Sequence, residues 1–190
     1  MRVTLIRHGE VEERYAGCYN GHLDIALSPS GREQARRLAA HLDSEAFDAV
    51  CCSDLRRARE TLAPFKISCE PFYTAALREK SWGRHEGMNY DAIVASEEVA
   101  YESFEQWLTH LDGEPYPDFV GRIRRFFLEE LARRAHRNVL VITHAGVVRT
   151  LMHLVKKIPL EEAFATPFPY GACVELDLEK GRFGEVLCVG

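Results

Sequence analysis

Three short apolar runs, residues 3–6, 49–52 and 139–143, are each followed by a segment of helical periodicity, and this repeated strand-then-helix order constrains the fold most. A continuous apolar run of four or five residues is the pattern of a strand buried on both faces, as in a parallel sheet between layers of helix. The third run, Val-Leu-Val-Ile-Thr, is the richest in β-branched residues. After the first run, Ser28 and Pro29 mark a helix start, and Ala35, Leu38, Ala39 and Leu42 recur at i, i+3, i+4 and i+7. After the second, Ser53 or Asp54 is expected to cap a helix whose apolar stripe includes Leu55, Ala58 and Leu62. After the third, a helix is expected from about Gly146 to Lys156; before it, another is expected over residues 118–136. Strands alternating with helices predict an α/β fold, a three-layer sandwich with a mostly parallel central sheet and helices on both faces. Residues 172–178 and 183–189 flank Glu179-Lys180-Gly181-Arg182 as a hairpin, expected to form the antiparallel edge.

One segment interrupts the alternation. Residues 89–111, rich in glutamate and aromatics, read as helix, and they suggest a helical cap insert at about 80–117 within a single domain spanning residues 1–190. The proline-containing pieces at 115–117 and 166–171 read as loops. Adjacent Cys51 and Cys52 should point to opposite faces of their strand and serve as core.

The net charge of −5 gives no general attraction to nucleic acid or an anionic membrane, so any anion site must be local. No run of 18 or more apolar residues and no leader-like N-terminus are present, and the six cysteines form no CxxC pair. A soluble cytoplasmic protein with reduced thiols is the expectation.

In open α/β sheets, ligands bind beyond the carboxyl ends of the strands, where helix N-termini also point. Here the three runs lead into Arg7-His8-Gly9, Ser53-Asp54-Leu55-Arg56-Arg57-Ala58 and Thr143-His144-Ala145-Gly146. Two histidines and at least one arginine would therefore converge on one end of one sheet, which describes a local phosphate site. A single histidine is more often a hydrogen-bonded structural residue, but both of these sit just past a buried strand and close to a glycine, where backbone can approach a ligand. Arg57 falls two residues from Leu55, off the apolar stripe, a position that also suits a solvated side chain. Arg56 and Arg59 are equally basic, and periodicity does not choose among the three. The aromatics Tyr90, Tyr101, Phe104 and Trp107, with Trp82 and His85 before them, read as core; any that line a pocket could stack on a base or sugar. Eight histidines show no HExxH or comparable ligand spacing, and neither GxxxxGK[ST] nor a strand-linked GxGxxG occurs, so no metal or cofactor is expected.

Five blocks in order extend this reading: Arg7-His8-Gly9-Glu10; Gly21-His22-Leu23-Asp24 with Leu27-Ser28 and Gly31; Ser53 to Ala58; Leu77-Arg78-Glu79 with Gly83 and Glu86-Gly87; and His144-Ala145-Gly146 with Arg149. Together they resemble the histidine phosphatase superfamily, the phosphoglycerate mutase-like group. The resemblance implies that His8 is the nucleophile, Arg7 its phosphate-binding neighbour, Glu79 the acid and base, and His144 the second histidine. It selects Arg57 over Arg56 and Arg59. It also places Arg7, Asn20, Gly21, Arg57, His144 and Ala145 against the substrate. His85 stands where the family usually has Trp, and Trp82 where Phe is common, departures expected on the pocket wall.

The chemistry is consistent with those roles. A neutral imidazole can attack phosphorus and form a phosphohistidine, while arginines stabilise the charge on the transferring group. Neighbouring cations keep His8 neutral, and His144, if protonated, would add one more. Arginines beside Glu79 favour its ionised form; an incoming phosphate dianion offsets them, so Glu79 is expected to carry its proton mainly in the substrate complex. Glu86 reads as a supporting or surface carboxylate, and Glu10 as suited to the first turn of a following helix. The expected activity is metal-independent hydrolysis of a small phosphomonoester. The alternatives are phosphoglycerate mutase-type transfer, whose enzymes are generally longer, and a non-catalytic binding protein on the same scaffold. The short chain and helical insert resemble the α-ribazole phosphatases of cobalamin synthesis within the superfamily; sugar phosphates, including fructose bisphosphates, stay open.

Overall fold

The computed structural model describes residues 1–42, 46–96 and 102–188. Its sheet has six strands in the order β3-β2-β4-β1-β5-β6. These are β1 (Arg2–Arg7), β2 (Ala49–Ser53), β3 (Phe72–Thr74), β4 (Asn138–Thr143), β5 (Ala172–Asp177) and β6 (Arg182–Cys188). Strands β3, β2, β4 and β1 are parallel; β5 lies antiparallel to β1, and β6 closes the edge antiparallel to β5. The expected α/β sandwich is present. Strand β3 escaped the sequence reading, because three partly exposed residues, Phe-Tyr-Thr, carry no legible periodicity.

Seven α-helices are found among the described residues: α1 (Pro29–His41), α2 (Arg56–Leu62), α3 (Tyr90–Ser96), α4 (Phe104–His110), α5 (Tyr116–Arg124), α6 (Ala145–Lys156) and α7 (Leu160–Ala165). From α5 the chain winds on through a wider turn at Arg125–Glu130. The central strands are buried on both faces. Val3, Leu5, Val139 and Val141 pack against Phe119, Ile123 and Phe127 of the α5 segment and Val147, Val148 and Leu151 of α6. Ile6, Leu140 and Ile142 pack the other way, against Leu38 of α1 and Ala58 and Leu62 of α2. Cys51 joins the first cluster and Cys52 the second, so the alternation read from the sequence holds.

Helix α1 starts as expected, with Ser28 accepting from Gly31 N. Helix α2 does not. Leu55 occupies the cap position, neither Ser53 nor Asp54 caps, and the Arg56 N–H is taken by Asp24 Oδ1 at 2.6 Å. A helix's first N–H groups can be satisfied by any acceptor that tertiary structure delivers, and here a distant loop delivers it. Asp54 instead grips Arg78 with both oxygens, at 2.7 Å each. The single helix expected over residues 89–111 is two short ones, α3 and α4; residues 97–101, with Tyr101, lie outside the described residues.

Register brings the strand ends level. Arg7 pairs with Thr143, Cys52 with Ile142, and Ser53 with Thr74, so the four parallel strands stop at one height. Gly9 serves this edge by admitting a helix: a Cβ there would lie 2.5 Å from Gly31 O in the first turn of α1. What approaches the Gly9 backbone is therefore α1, not a ligand.

Candidate active site

His8 and His144 follow the last residues of adjacent strands β1 and β4, so the register that pairs Arg7 with Thr143 sets the two imidazoles side by side, ring centres 5.1 Å apart. His8 Nδ1 lies 2.8 Å from Gly9 O. A carbonyl only accepts, so Nδ1 carries the hydrogen and Nε2 is bare, with its lone pair available. Burial pushes His8 protonation well below the usual imidazole value of 6.5, and the Arg57 and Arg7 charges push further. His144 is held neutral in the same way, by burial, then Arg57 and His8. The additional cation allowed for in the sequence is therefore a neutral donor. Ser53 Oγ accepts from Leu55 N and stands 2.9 Å from His144 Nε2, so its hydroxyl can donate there and leave the hydrogen on His144 Nδ1.

Arg57 is 1% exposed, which corrects the solvated position that periodicity permitted. Its Nη1 donates to Leu23 O at 2.7 Å and its Nη2 to Gly21 O at 2.6 Å, and burial lowers its pKa to about 10. Arg56 pairs with Glu60, and Arg59 lies over the Tyr73 ring. Arg7 Nη1 donates to Phe168 O at 2.7 Å, with the guanidinium 3.9 Å from the centre of the Tyr170 ring. Three buried nitrogens, Arg7 Nε, Arg57 Nε and His144 Nδ1, have no partner. A buried donor without an acceptor costs about 1–3 kcal/mol. Three gathered beside one bare histidine nitrogen describe a seat for an anion with several oxygens.

Glu79 comes from the turn beyond β3. Its Oε2 accepts from Gly146 N at 2.9 Å, at the start of α6, and its Oε1 from Lys80 N at 3.0 Å. The absence of a side chain at Gly146 leaves room for the Glu79 carboxylate, which a Cβ there would push aside. His22 Nε2 donates to Glu79 O at 2.9 Å. Loop residues 21–24 thus each meet the site's frame: Gly21 and Leu23 anchor Arg57, His22 anchors Glu79, and Asp24 starts α2.

The residues converge on a cavity of about 510 Å³. Arg7, His8, Arg57, Glu79 and His144 line it, as do Asn20, Gly21 and Ala145. Asn20 Nδ2 donates to Tyr15 O at 2.8 Å, leaving Oδ1 buried without a partner. The remaining wall combines aromatic side chains, among them Tyr19, Trp82, Phe104, Trp107 and Phe164, with the charged side chains of Lys80, Arg149 and Glu161. Trp82 and Trp107 are both core and wall, since they also pack with Ile93, Leu108 and Leu111. Tyr90 is 44% exposed, against the core reading. His85 is buried away from the wall, accepting from Asp112 N at 3.0 Å through Nδ1 and stacking with His110, so the family departure at 85 does not touch the pocket. Glu86 Oε1 accepts from His22 N, Ser81 Oγ and Trp82 N, a supporting role as read. Glu10 accepts from Ser28 Oγ and so braces α1 instead of starting a helix of its own. Among the described residues no cluster of His, Cys, Asp or Glu could hold a metal ion, and no helix is long and apolar enough to cross a membrane.

The direction of the histidine shifts is directly measurable. In a ring-proton NMR titration His8 is expected to stay neutral as pH falls through 6.5, where an exposed imidazole is half-protonated. Unfolded chain takes up protons on His8 and His144 near that pH while folded chain does not, so the stability they contribute above pH 6.5 is lost as pH falls below it. A His8 midpoint at 6.5 or higher would contradict this geometry.

The strand ends of a mostly parallel sheet gather two neutral histidines, the buried Arg57, the half-buried Arg7 and a carboxylate, an arrangement that can hold an anion with several oxygens. The chain belongs to the histidine phosphatase superfamily (branch 1), whose sequence pattern matches residues 3–189. It is 32% identical over 166 residues to a broad-specificity phosphatase of Saccharomyces cerevisiae, covering 82% of this chain and 70% of that protein. It is 30% identical over 189 residues to the adenosylcobalamin/alpha-ribazole phosphatase of Salmonella typhimurium, covering 95% of this chain and 92% of the other. The alpha-ribazole phosphatase structure from Shigella flexneri superposes with a TM-score of 0.84 at 27% identity, covering 99% of this chain and 96% of that one. The protein is thus an enzyme of the phosphomonoester hydrolase type, acting on a small phosphorylated substrate.

Proposed function

We propose that the protein hydrolyses a small phosphomonoester through a phosphohistidine on His8, without a metal or other cofactor. The observation that carries this is the bare Nε2 of a neutral, buried His8 amid donor nitrogens that lack acceptors. In the first step the Nε2 lone pair attacks phosphorus as the bond to the substrate alcohol oxygen breaks. The departing electron pair goes to that oxygen, which takes a proton from the Glu79 carboxyl group. Arg7, Arg57 and the His144 Nδ1 hydrogen hold the phosphoryl oxygens, with charge stabilisation as their main contribution. In the second step water attacks phosphorus and gives a proton to the Glu79 carboxylate. The P–N bond breaks, its pair returns to Nε2, and phosphate leaves.

The substrate side of the cavity supports a narrower reading. Trp82 and Trp107 flank Tyr19, at 5.1 Å and 6.1 Å between ring centres, and all three line the cavity, an aromatic surface suited to a flat group. The phosphate ester of a heterocyclic alcohol, such as α-ribazole 5'-phosphate, is the kind of substrate that wall would favour, in line with the named activity of the Salmonella relative. Asn20, Gly21 and Ala145 complete the substrate contacts, the segment at about 80–117 serves as a cap within one domain, and the setting is cytoplasmic. The rival reading is a mutase, which must retain its phosphohistidine while the substrate turns.

One experiment separates the two. With 3-phosphoglycerate and its bisphosphate primer, phosphate release is expected to outpace isomerisation, and the rate should be unchanged by EDTA. Isomerisation faster than release would sink the hydrolase reading. In a panel of phosphomonoesters, α-ribazole 5'-phosphate is expected to show the highest kcat/KM; a sugar phosphate ahead of it would remove the aromatic wall as the selecting feature.

A further inference from the structure

Arg122, on α5, spends all five of its N–H groups on one task. Nε and Nη2 hold the Glu114 carboxylate at 2.7 and 2.8 Å, Nη1 donates to Ala76 O and Arg78 O at 3.0 and 2.8 Å, and Nη2 also donates to Glu79 O at 2.9 Å. The turn it grips is otherwise held by His22 on Glu79 O, by Asp54 on the Arg78 side chain and by the buried Leu77. Strand β3 is three residues long and lies at the sheet edge, and the chain leaves it through a single tight turn at Ala75–Leu77. The remaining carbonyl, Leu77 O, accepts from Thr143 Oγ1 at 2.8 Å. Every carbonyl from 76 to 79 is therefore held by a side chain from elsewhere in the chain, three of them by Arg122.

Glu114 gives the clamp a second end. Its backbone N–H donates to Ser81 O at 3.1 Å, and Lys80 Nζ donates to both Ser81 O and Asp112 O. The segments entering and leaving residues 80–117 are thus tied together beside the carboxylate that orients Arg122.

We propose that the Arg122–Glu114 pair is a positioning device for Glu79: it sets the backbone from which the carboxyl group reaches the leaving oxygen, and it refers that position to the base of the helical insert. Neither residue lines the cavity, so both act through Glu79. The inference rests on Glu79 being the acid.

The test uses leaving groups in the full-length enzyme. kcat/KM reports only the steps up to the first phosphoryl transfer, where an alkoxide needs a proton and p-nitrophenolate does not. Glu79→Gln is therefore expected to cut kcat/KM for 2-glycerol phosphate far more than for p-nitrophenyl phosphate. Arg122→Gln should reproduce that selectivity, with a loss of about 50-fold on the first and within about 3-fold on the second, since a displacement near 1 Å costs about 100-fold. Adding Arg122→Gln to Glu79→Gln should then cost little more, because the acid it positions is already gone. Equal losses on both substrates, or full additivity, would show a merely structural pair and overturn the inference. If Glu79→Gln itself shows no leaving-group selectivity, the acid assignment fails and the inference with it, a result distinct from failure of Arg122 alone. Glu114→Gln, which keeps the shape of the clamp, provides the same reading if Arg122→Gln does not fold: a smaller selective loss supports the proposal, and an unselective one overturns it.

Discussion

Replacing His8 by Ala is expected to lower kcat by about 10⁴-fold or more, the scale on which removal of a covalent nucleophile acts, and to abolish any trapped phosphoenzyme. The reasoning is positional. Nδ1 is committed to Gly9 O, and the ring is packed between His144 and Tyr170, at 5.1 and 5.5 Å between centres, so Nε2 has one defined exposure to the cavity. No second bare imidazole can replace it, because His144 Nε2 is engaged by Ser53. Arg7 and Arg57 are held by carbonyls that do not depend on His8, so His8→Ala should still bind phosphate or vanadate. Rapid-quench labelling decides the matter. In the wild-type enzyme the label should be acid-labile and base-stable, as a P–N bond is, and absent from the variant. Turnover within 10-fold of wild type in a folded His8→Ala protein would end the assignment.

Arg57→Met is expected to reduce kcat/KM by about 10³-fold, close to 4 kcal/mol of transition-state stabilisation. Three consequences of one buried cation add together. The oxygens of the transferring group lose a donor, the Gly21 and Leu23 carbonyls lose their anchor, and His8 and His144 lose their strongest neighbouring charge. The last has a readout that simple loss of binding lacks. Arg57 helps hold His8 below 6.5, so the His8 midpoint should move upward in the variant, toward 6.5. Arg57→Lys is expected to rescue little, since a compact ammonium lacks the fork that spans Gly21 O and Leu23 O. Near-wild-type activity in the Lys variant would show that charge alone suffices there.

The parts of this site that could be read from the sequence are those fixed within one element. The alternation of faces along residues 139–142 and at Cys51 and Cys52 is local, because successive strand residues face opposite ways whatever surrounds them. The same locality made Arg7, His8 and His144 legible, since each follows directly on a buried run. Arg57 was not legible on those terms. Its place on α2 suits water or a buried pocket, and only the resemblance to a family, then the carbonyls of Gly21 and Leu23, chose between them. Asp24 at the start of α2 and Asp54 as the partner of Arg78 override a local capping rule, because a carboxylate distant in sequence takes the Arg56 N–H.

The sequence by itself determined that this chain makes a mostly parallel sheet between helices, and that two histidines and an arginine stand past its strands. Tertiary structure alone decided that Glu79 sits on the first turn of α6, that Arg122 clamps its turn, and that His85 turns away from the cavity. Periodicity records how one segment divides its faces between core and water. It does not record which distant segment supplies the other half of a hydrogen bond, and at this site those partners lie as far as 91 residues apart for His144 and Ser53 and 161 for Arg7 and Phe168.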